Sequence, residues 1–257
     1  MILQRVEQAD WLSNAYLIVD RPGGSGVLVD SNGVTEPLVE RAEREGTEIT
    51  HVLLTHHHFD HVIGVEELAE RFDAPVVAHE LCAAQLEGKV TETIGDGDVI
   101  ASGELRIEAV HTPGHCPDHL ALLVDGTDCI TADVLFAGTV GGTRGGGPTG
   151  FEDLRSSIMD RLMKLPPETR VHPGHRIPST IGEEWEANPF VRVWRGLDEE
   201  SAEACSIGPP DAADRESVTL ILWAPDYDGT NKAWVRFPSG QDTIVGGSQV
   251  KREPAGG

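Results

Sequence analysis

The chain has 257 residues with 39% hydrophobic content, enough for one large packed domain or a domain with an extension. Its formal charge of −23 argues against a nucleic-acid backbone or an anionic membrane surface as partner, since both are met by clustered Lys and Arg. Cys82, Cys116, Cys129 and Cys205 show no C-x-x-C spacing, the N-terminus shows no basic-then-apolar leader, and no apolar run approaches the roughly eighteen residues of a membrane helix, which together predict a cytoplasmic protein with free thiols.

Residues 2–7 and 15–20 read as strands, and 26–30 continue the sheet after the turn at Arg21-Pro22-Gly23-Gly24. Asn14, just before the second of these strands, reads by itself as a turn residue. Glu36 to Glu45 reads as an exposed helix stopped by Gly46. Ile49 to Leu54 is a buried strand, and Val62 to Phe72 carries apolar residues at helical spacing. Between them stands Thr55-His56-His57-His58-Phe59-Asp60-His61, with four ligand-type residues at H-x-H-x-D-H spacing. The spacing places the cluster on a strand-to-helix loop, where an α/β protein presents its site residues. Imidazole and carboxylate suit zinc, manganese and iron. A tight loop can aim His56 and His58 at one ion, and Asp60 and His61 at another.

Pro75 to Ala78 is a short strand ending at His79, a lone histidine read as a surface residue in preference to one lining the active-site mouth. Gly95-Asp96-Gly97-Asp98 is a turn, and Leu105 to Val110 a strand with one wet face. Leu120 to Val124 and Asp128 to Thr131 form a hairpin about Asp125-Gly126. Seven glycines between positions 138 and 150 make a flexible loop without a phosphate-binding pattern. Phe151 to Leu165 is an amphipathic helix ended by Pro166-Pro167; Thr169 to His172 is a strand; Ile181 to Leu197 is helical, interrupted at Asn188-Pro189. Residues 198–217 read as an acidic linker. Residues 218–250 then form a small antiparallel β extension of about three strands, with turns at Asp228-Gly229 and Ser239-Gly240. Trp223, Trp234 and Phe237 are more than such a sheet can bury alone, so they are expected to pack on the 1–197 domain or on a second subunit of a homodimer. Residues 251–257 are expected to fray.

The histidine loop resembles the signature of the metallo-β-lactamase-fold superfamily, in its glyoxalase II-like branch. His111-Thr112-Pro113-Gly114-His115, Thr131-Ala132-Asp133 through Gly138, and His172-Pro173-Gly174-His175 resemble its later motifs, in family order. The resemblance covers about residues 1–195. It implies a four-layered αβ/βα sandwich. It also implies two divalent ions, zinc foremost with iron or manganese as alternatives. His56, His58 and His115 would hold the first, and Asp60, His61 and His175 the second, with Asp133 bridging both. The implied activity is hydrolysis of a thioester, ester or lactone carbonyl by a metal-bound hydroxide, oriented by Asp60 and needing no Ser or Cys nucleophile. Cys116 is then a packed thiol. His57, His119 and His172 are either outer partners of the ligands or solvent-facing, and Thr55 could brace a ligand. Where many relatives carry an Arg after the bridging Asp, this chain has Gly141, with Arg144 nearest; the glutathione-binding C-terminal helix is not recognisable. The alternative on the same fold is a mononuclear-iron persulfide dioxygenase-like oxidoreductase.

Overall fold

The computed structural model describes residues 1–144, 149–209, 211, 212 and 214–252. Gly145, Gly146 and Gly147 of the expected loop, Pro210 of the linker and residues 253–257 lie outside the described residues.

Two six-stranded sheets carry the architecture. The first runs Ile2–Glu7, Asn14–Val19, Ser25–Val29, Glu48–Leu53, Val76–His79, Glu92–Ile94 across the sheet. Its first three strands are antiparallel hairpins; the rest are parallel and joined by helical crossovers. The second runs Ser179–Thr180, Arg170–Pro173, Asp128–Ala132, Leu120–Val124, Leu105–His111, Val99–Ser102. The short edge strand Val99–Ser102 carries no sequence signal strong enough to be expected. Facing side chains such as Tyr16, Ile18, Val29 and Leu53 from one sheet, and Ile107, Leu120, Leu122 and Ile130 from the other, fill a core between the sheets. Glu36–Glu45 and Val65–Phe72 cover the outer face of the first sheet through Leu38, Val39, Ala42, Val65 and Leu68. Phe151–Ser156, Ile181–Ala187 and Pro189–Trp194 cover that of the second. This is the four-layered αβ/βα sandwich, and it follows from each sheet having two apolar faces to bury.

Several local expectations are corrected. Glu36–Glu45 is half-buried rather than exposed, because its apolar residues recur at three- and four-residue spacing. Its end is as expected: Gly46 takes φ 66° and caps two carbonyls. The helix expected over 62–72 is two helices, Phe59–Val62 and Val65–Phe72, broken where Ile63 turns extended and Gly64 takes φ 70°. Asp60 and His61 therefore sit on a helical turn of their own. The 151–165 helix passes into a π segment, Ser157–Arg161, and a 3-10 turn, Leu162–Lys164, while keeping Leu154, Ile158 and Leu162 buried. His79 is buried, accepting from Leu81 N and stacked on His111 at 4.6 Å.

The C-terminal sheet has five strands, in the order Asp242–Gly246, Asn231–Arg236, Glu216–Pro225, Glu203–Ile207, Val250–Arg252. Glu203–Ile207 lies inside the stretch expected to be linker; strand pairing there outweighs an acidic composition. Period-2 alternation splits the aromatic rings. Trp234, with Ile221, Ala224 and Ile244, joins the core of the second sheet's helices, 4.9 Å from Phe151 and 6.3 Å from Trp194. Trp223 and Phe237 face the other way and pack on the extension's own cluster around Leu220, Ala233 and Val235. The expectation that all three reach outward is thus corrected to Trp234 alone, since alternate residues of a strand point to opposite faces.

Candidate metal centre

The centre lies where strands of both sheets end. The strand Glu48–Leu53 delivers His56 and His58 on its following loop and Asp60 and His61 on the short helix. From the second sheet, Leu105–His111 leads to His115, Asp128–Ala132 to Asp133, and Arg170–Pro173 to His175. The backbone here is bent hard. Ala132, immediately before Asp133, has φ 40°, and Arg176, immediately after His175, has φ 64°. Gly174 can only be glycine: a Cβ there would lie 2.0 Å from Asp133 Oδ1.

The side chains fall into two groups. Ligand atoms of His56, His58, His115 and Asp133 lie within 4.8 Å of one another, as do those of Asp60, His61 and His175. In the first, His115 Nε2 is 2.9 Å from His58 Nδ1 and 3.5 Å from Asp133 Oδ2. In the second, Asp60 Oδ2 is 3.6 Å from the Nε2 of both His61 and His175. Asp133 spans them, with Oδ1 3.4 Å from His61 Nε2 and Oδ2 3.3 Å from His175 Nε2.

Outer partners fix which nitrogen points inward. The Nδ1–H of His56 donates to Thr55 Oγ1 at 3.0 Å, that of His61 to Asp30 Oδ2 at 2.9 Å, that of His115 to the Gly142 carbonyl at 2.9 Å, and that of His175 to the Trp11 carbonyl at 3.0 Å. Each bond leaves Nε2 as the bare lone pair aimed at the centre. Asp133 is held from behind, its N–H donating to His119 Nε2 at 3.1 Å.

His115 Nε2 meets His58 Nδ1 and His175 Nε2 meets Asp133 Oδ2, but the other two lone pairs find no answer among the described residues. His56 Nε2, His61 Nε2 and Asp133 Oδ1 are buried without a hydrogen-bond partner, a costly arrangement for polar atoms unless a cation sits among them. The electrostatics agree. Burial, with neighbouring imidazoles, pushes His56 well below the usual histidine pKa and His58 to about 4, so both are neutral donors of electron pairs. Burial resists charge on His61, yet Asp133 and Asp30 raise its pKa well above the ordinary value. Burial likewise resists ionisation of Asp133, but His175 and His61 hold its pKa well below the usual carboxylate range. Buried carboxylates that draw a proton onto a neighbouring imidazole would be satisfied better by a divalent cation. The residues present thus fit a pair of metal ions.

The remaining histidines sort by partner. His57 donates to Asp118 Oδ1 at 2.8 Å and its backbone N–H to Oδ2 at 2.9 Å, which stiffens the ligand loop. His119 is fully buried behind Asp133. His172 bonds Asp128 at 2.8 Å and plays no part in the ligand groups. Cys116 is buried, and burial first, then Asp118, raises its thiol pKa far from the reactive range. All four cysteines are buried. Asn14 is no turn residue: it opens the strand Asn14–Val19 and donates to the Pro173 and Arg176 carbonyls at 2.9 Å, tying down the His175 loop.

Sequence reasoning missed Asp30, Asp118 and the carbonyls of Trp11 and Gly142. Asp30 carried a signal, an acidic residue ending a buried parallel strand, with φ 60° in the fold. The carbonyls had none.

A family model described as the metallo-beta-lactamase superfamily matches residues 9–175. A hydroxyacylglutathione hydrolase of Bradyrhizobium sp. is 35% identical over 62% of this chain and 61% of its own length. One of Chromohalobacter salexigens is 30% identical over 82% of this chain and 94% of its own. The crystal structure of ETHE1 from Myxococcus xanthus superposes with TM-score 0.67 at 29% identity, covering 74% of this chain and 84% of that one. Sheet order, layers, the ordered ligand motifs and these likenesses agree: the chain belongs to the metallo-beta-lactamase superfamily and is an enzyme of that group.

Proposed function

We propose that the protein is a dinuclear metal-dependent hydrolase, similar to glyoxalase II, acting on a thioester, ester or lactone carbonyl of a small molecule. The observation that carries this is the set of three buried, unanswered atoms on His56, His61 and Asp133 between two ligand groups. Two bound divalent ions, zinc foremost, would supply Lewis acidity and a water acidic enough to ionise near neutral pH. Asp60 is the most exposed carboxylate of the set at 20%, against 9% for Asp133, so it faces the side from which water and substrate arrive. There it can accept a proton from the attacking water and orient it. Trp11 and Phe59, 54% and 66% exposed, meet edge to face at 6.3 Å beside Asp60 and the carbonyl that holds His175. They offer an apolar wall to the acyl or leaving group.

Glutathione is disfavoured as that leaving group. Arg144, the nearest residue to the family's basic position, is engaged with Glu216 at 3.0 Å. The net charge of −23 likewise suits an uncharged substrate and disfavours nucleic acid. The oxidoreductase reading is favoured by the likeness to ETHE1 and by His56, His115 and Asp133, two imidazoles and one carboxylate. Metal analysis with a panel of thioesters, lactones and persulfides separates the two. Two zinc-type ions per chain with hydrolysis support the first; one iron with oxygen uptake overturns it. Among the described residues no helix is long and apolar enough to cross a membrane.

A further inference from the structure

The turn between Glu216–Pro225 and Asn231–Arg236 leaves the C-terminal sheet and reaches the metal centre. Tyr227, on that turn, lies flat against His175, ring centroids 4.5 Å apart and planes 17° from parallel. Phe136 packs on both, 4.9 Å from Tyr227 and 5.8 Å from His175.

The turn is rigid. Asp226 N donates to the Thr230 carbonyl at 3.1 Å, and Thr230 N and Oγ1 donate to Asp228 Oδ1 at 2.8 and 2.6 Å. Lys232 and Asp226 form an ion pair at 3.1 Å, with side chains 8% and 6% exposed. Lys232 Nζ also sits 5.2 Å from the Tyr227 ring and 5.8 Å from that of Phe136. Arg176, next in chain to His175, donates to the Tyr227 carbonyl at 3.3 Å. A buried ion pair of this kind adds little stability unless its geometry is needed, so its presence at the base of one turn argues that the position of that turn matters.

We infer that Tyr227 is a positioning residue for His175 and that the C-terminal sheet thereby completes the metal centre. The His175 imidazole is held along its edge by the Trp11 carbonyl on Nδ1 and by Asp133 Oδ2, at 3.3 Å, on Nε2, an axis about which the ring can still tilt. The Tyr227 face removes that freedom and keeps Nε2 directed at Asp60 and Asp133. Outer groups that orient a ligand typically change metal affinity 10–100-fold when removed, about what loss of this face should do.

The inference rests on the two-ion reading, and the test keeps the two apart. Metal-free full-length protein is titrated with zinc against a chromophoric chelator, for wild type, Tyr227→Phe, Tyr227→Leu and Tyr227→Ala, with circular dichroism as the check on folding. The expected result is two equivalents for wild type and Tyr227→Phe. In Tyr227→Ala one equivalent should weaken 10–100-fold while the other is unchanged. Tyr227→Leu, which refills the volume without a flat face, should resemble Ala and serves where Ala fails to fold. Wild type taking up two equivalents, with a folded Leu or Ala variant matching it at both, overturns the inference alone. Wild type taking up fewer than two overturns the two-ion reading and the inference with it.

Discussion

Asp30 offers the sharpest test of how the centre is tuned. Its two oxygens receive three donors: Thr55 N at 2.8 Å on Oδ1, and Thr55 Oγ1 at 2.8 Å and His61 Nδ1 at 2.9 Å on Oδ2. Consider Asp30→Asn, which keeps the shape and changes one oxygen to NH2. The amide oxygen must stay on the Thr55 N–H, because a backbone donor cannot turn away. The NH2 then faces His61 Nδ1, donor against donor. The Thr55 hydroxyl can rotate and accept, but His61 can accept only by moving its proton to Nε2, the atom aimed at Asp133 and the second ligand group. One ligand is thus blocked by its own tautomer. Loss of an outer-group bond of this kind weakens metal binding about 10–100-fold, or about 1.4–2.8 kcal/mol. The tautomer switch places the expectation at the upper end. Zinc titration of the metal-free variant against a competing chelator measures it, one equivalent weakened and the other kept. Wild-type affinity for both equivalents in a folded Asp30→Asn protein would refute the tautomer argument.

Asp133→Ala removes the carboxylate that belongs to the first group and faces His61 and His175 of the second, and should abolish turnover and weaken at least one ion; retained metals with near-wild-type turnover would show the proposed bridge to be assigned wrongly. Trp234→Ala empties a site between Phe151 and Trp194 and should cost about 3–5 kcal/mol in denaturant unfolding, whereas Trp223→Ala should act mainly on the extension's own cluster. Truncation after residue 197 should lower solubility and heat stability together, read by melting and light scattering, because Ile221, Trp234 and Ile244 leave the helices of the second sheet uncovered. Asp128 predicts an acid limb: burial works against its ionisation, but His172, Arg170 and Thr127 hold its pKa well below the usual carboxylate value. A depressed folded pKa gives stability that is full above the ordinary value of about 3.9 and is lost as pH falls below it, so Asp128→Asn should flatten acid unfolding in that range.

That these residues converge was legible because each motif is local: His56, His58, Asp60 and His61 lie within six residues, and the others each follow a strand of their own. The layers were legible because buried strands and amphipathic helices announce their periods. What the sequence hid is whatever depends on distant partners. Trp11 holds His175 with a backbone carbonyl, which any residue type could provide. Tyr227 lies about fifty residues beyond the last ligand, and in the sequence it is merely an aromatic beside an Asp-Gly turn. Glu203–Ile207 became a strand through pairing with Glu216–Pro225, a contact that acidic composition gave no reason to expect.

The residues of the two groups come from the ends of both sheets, and with metal bound that layout would couple folding to supply. An ion bound by residues of the two halves is bound by the native state and not by the separated chain. Each occupied site therefore adds RT ln(1 + [metal]/Kd) to stability, about 2.7 kcal/mol at a hundredfold excess over Kd. The temperature at which this protein melts would then report the free metal concentration around it. Under scarcity that contribution is lost, so depletion would lower the protein's stability as well as its activity.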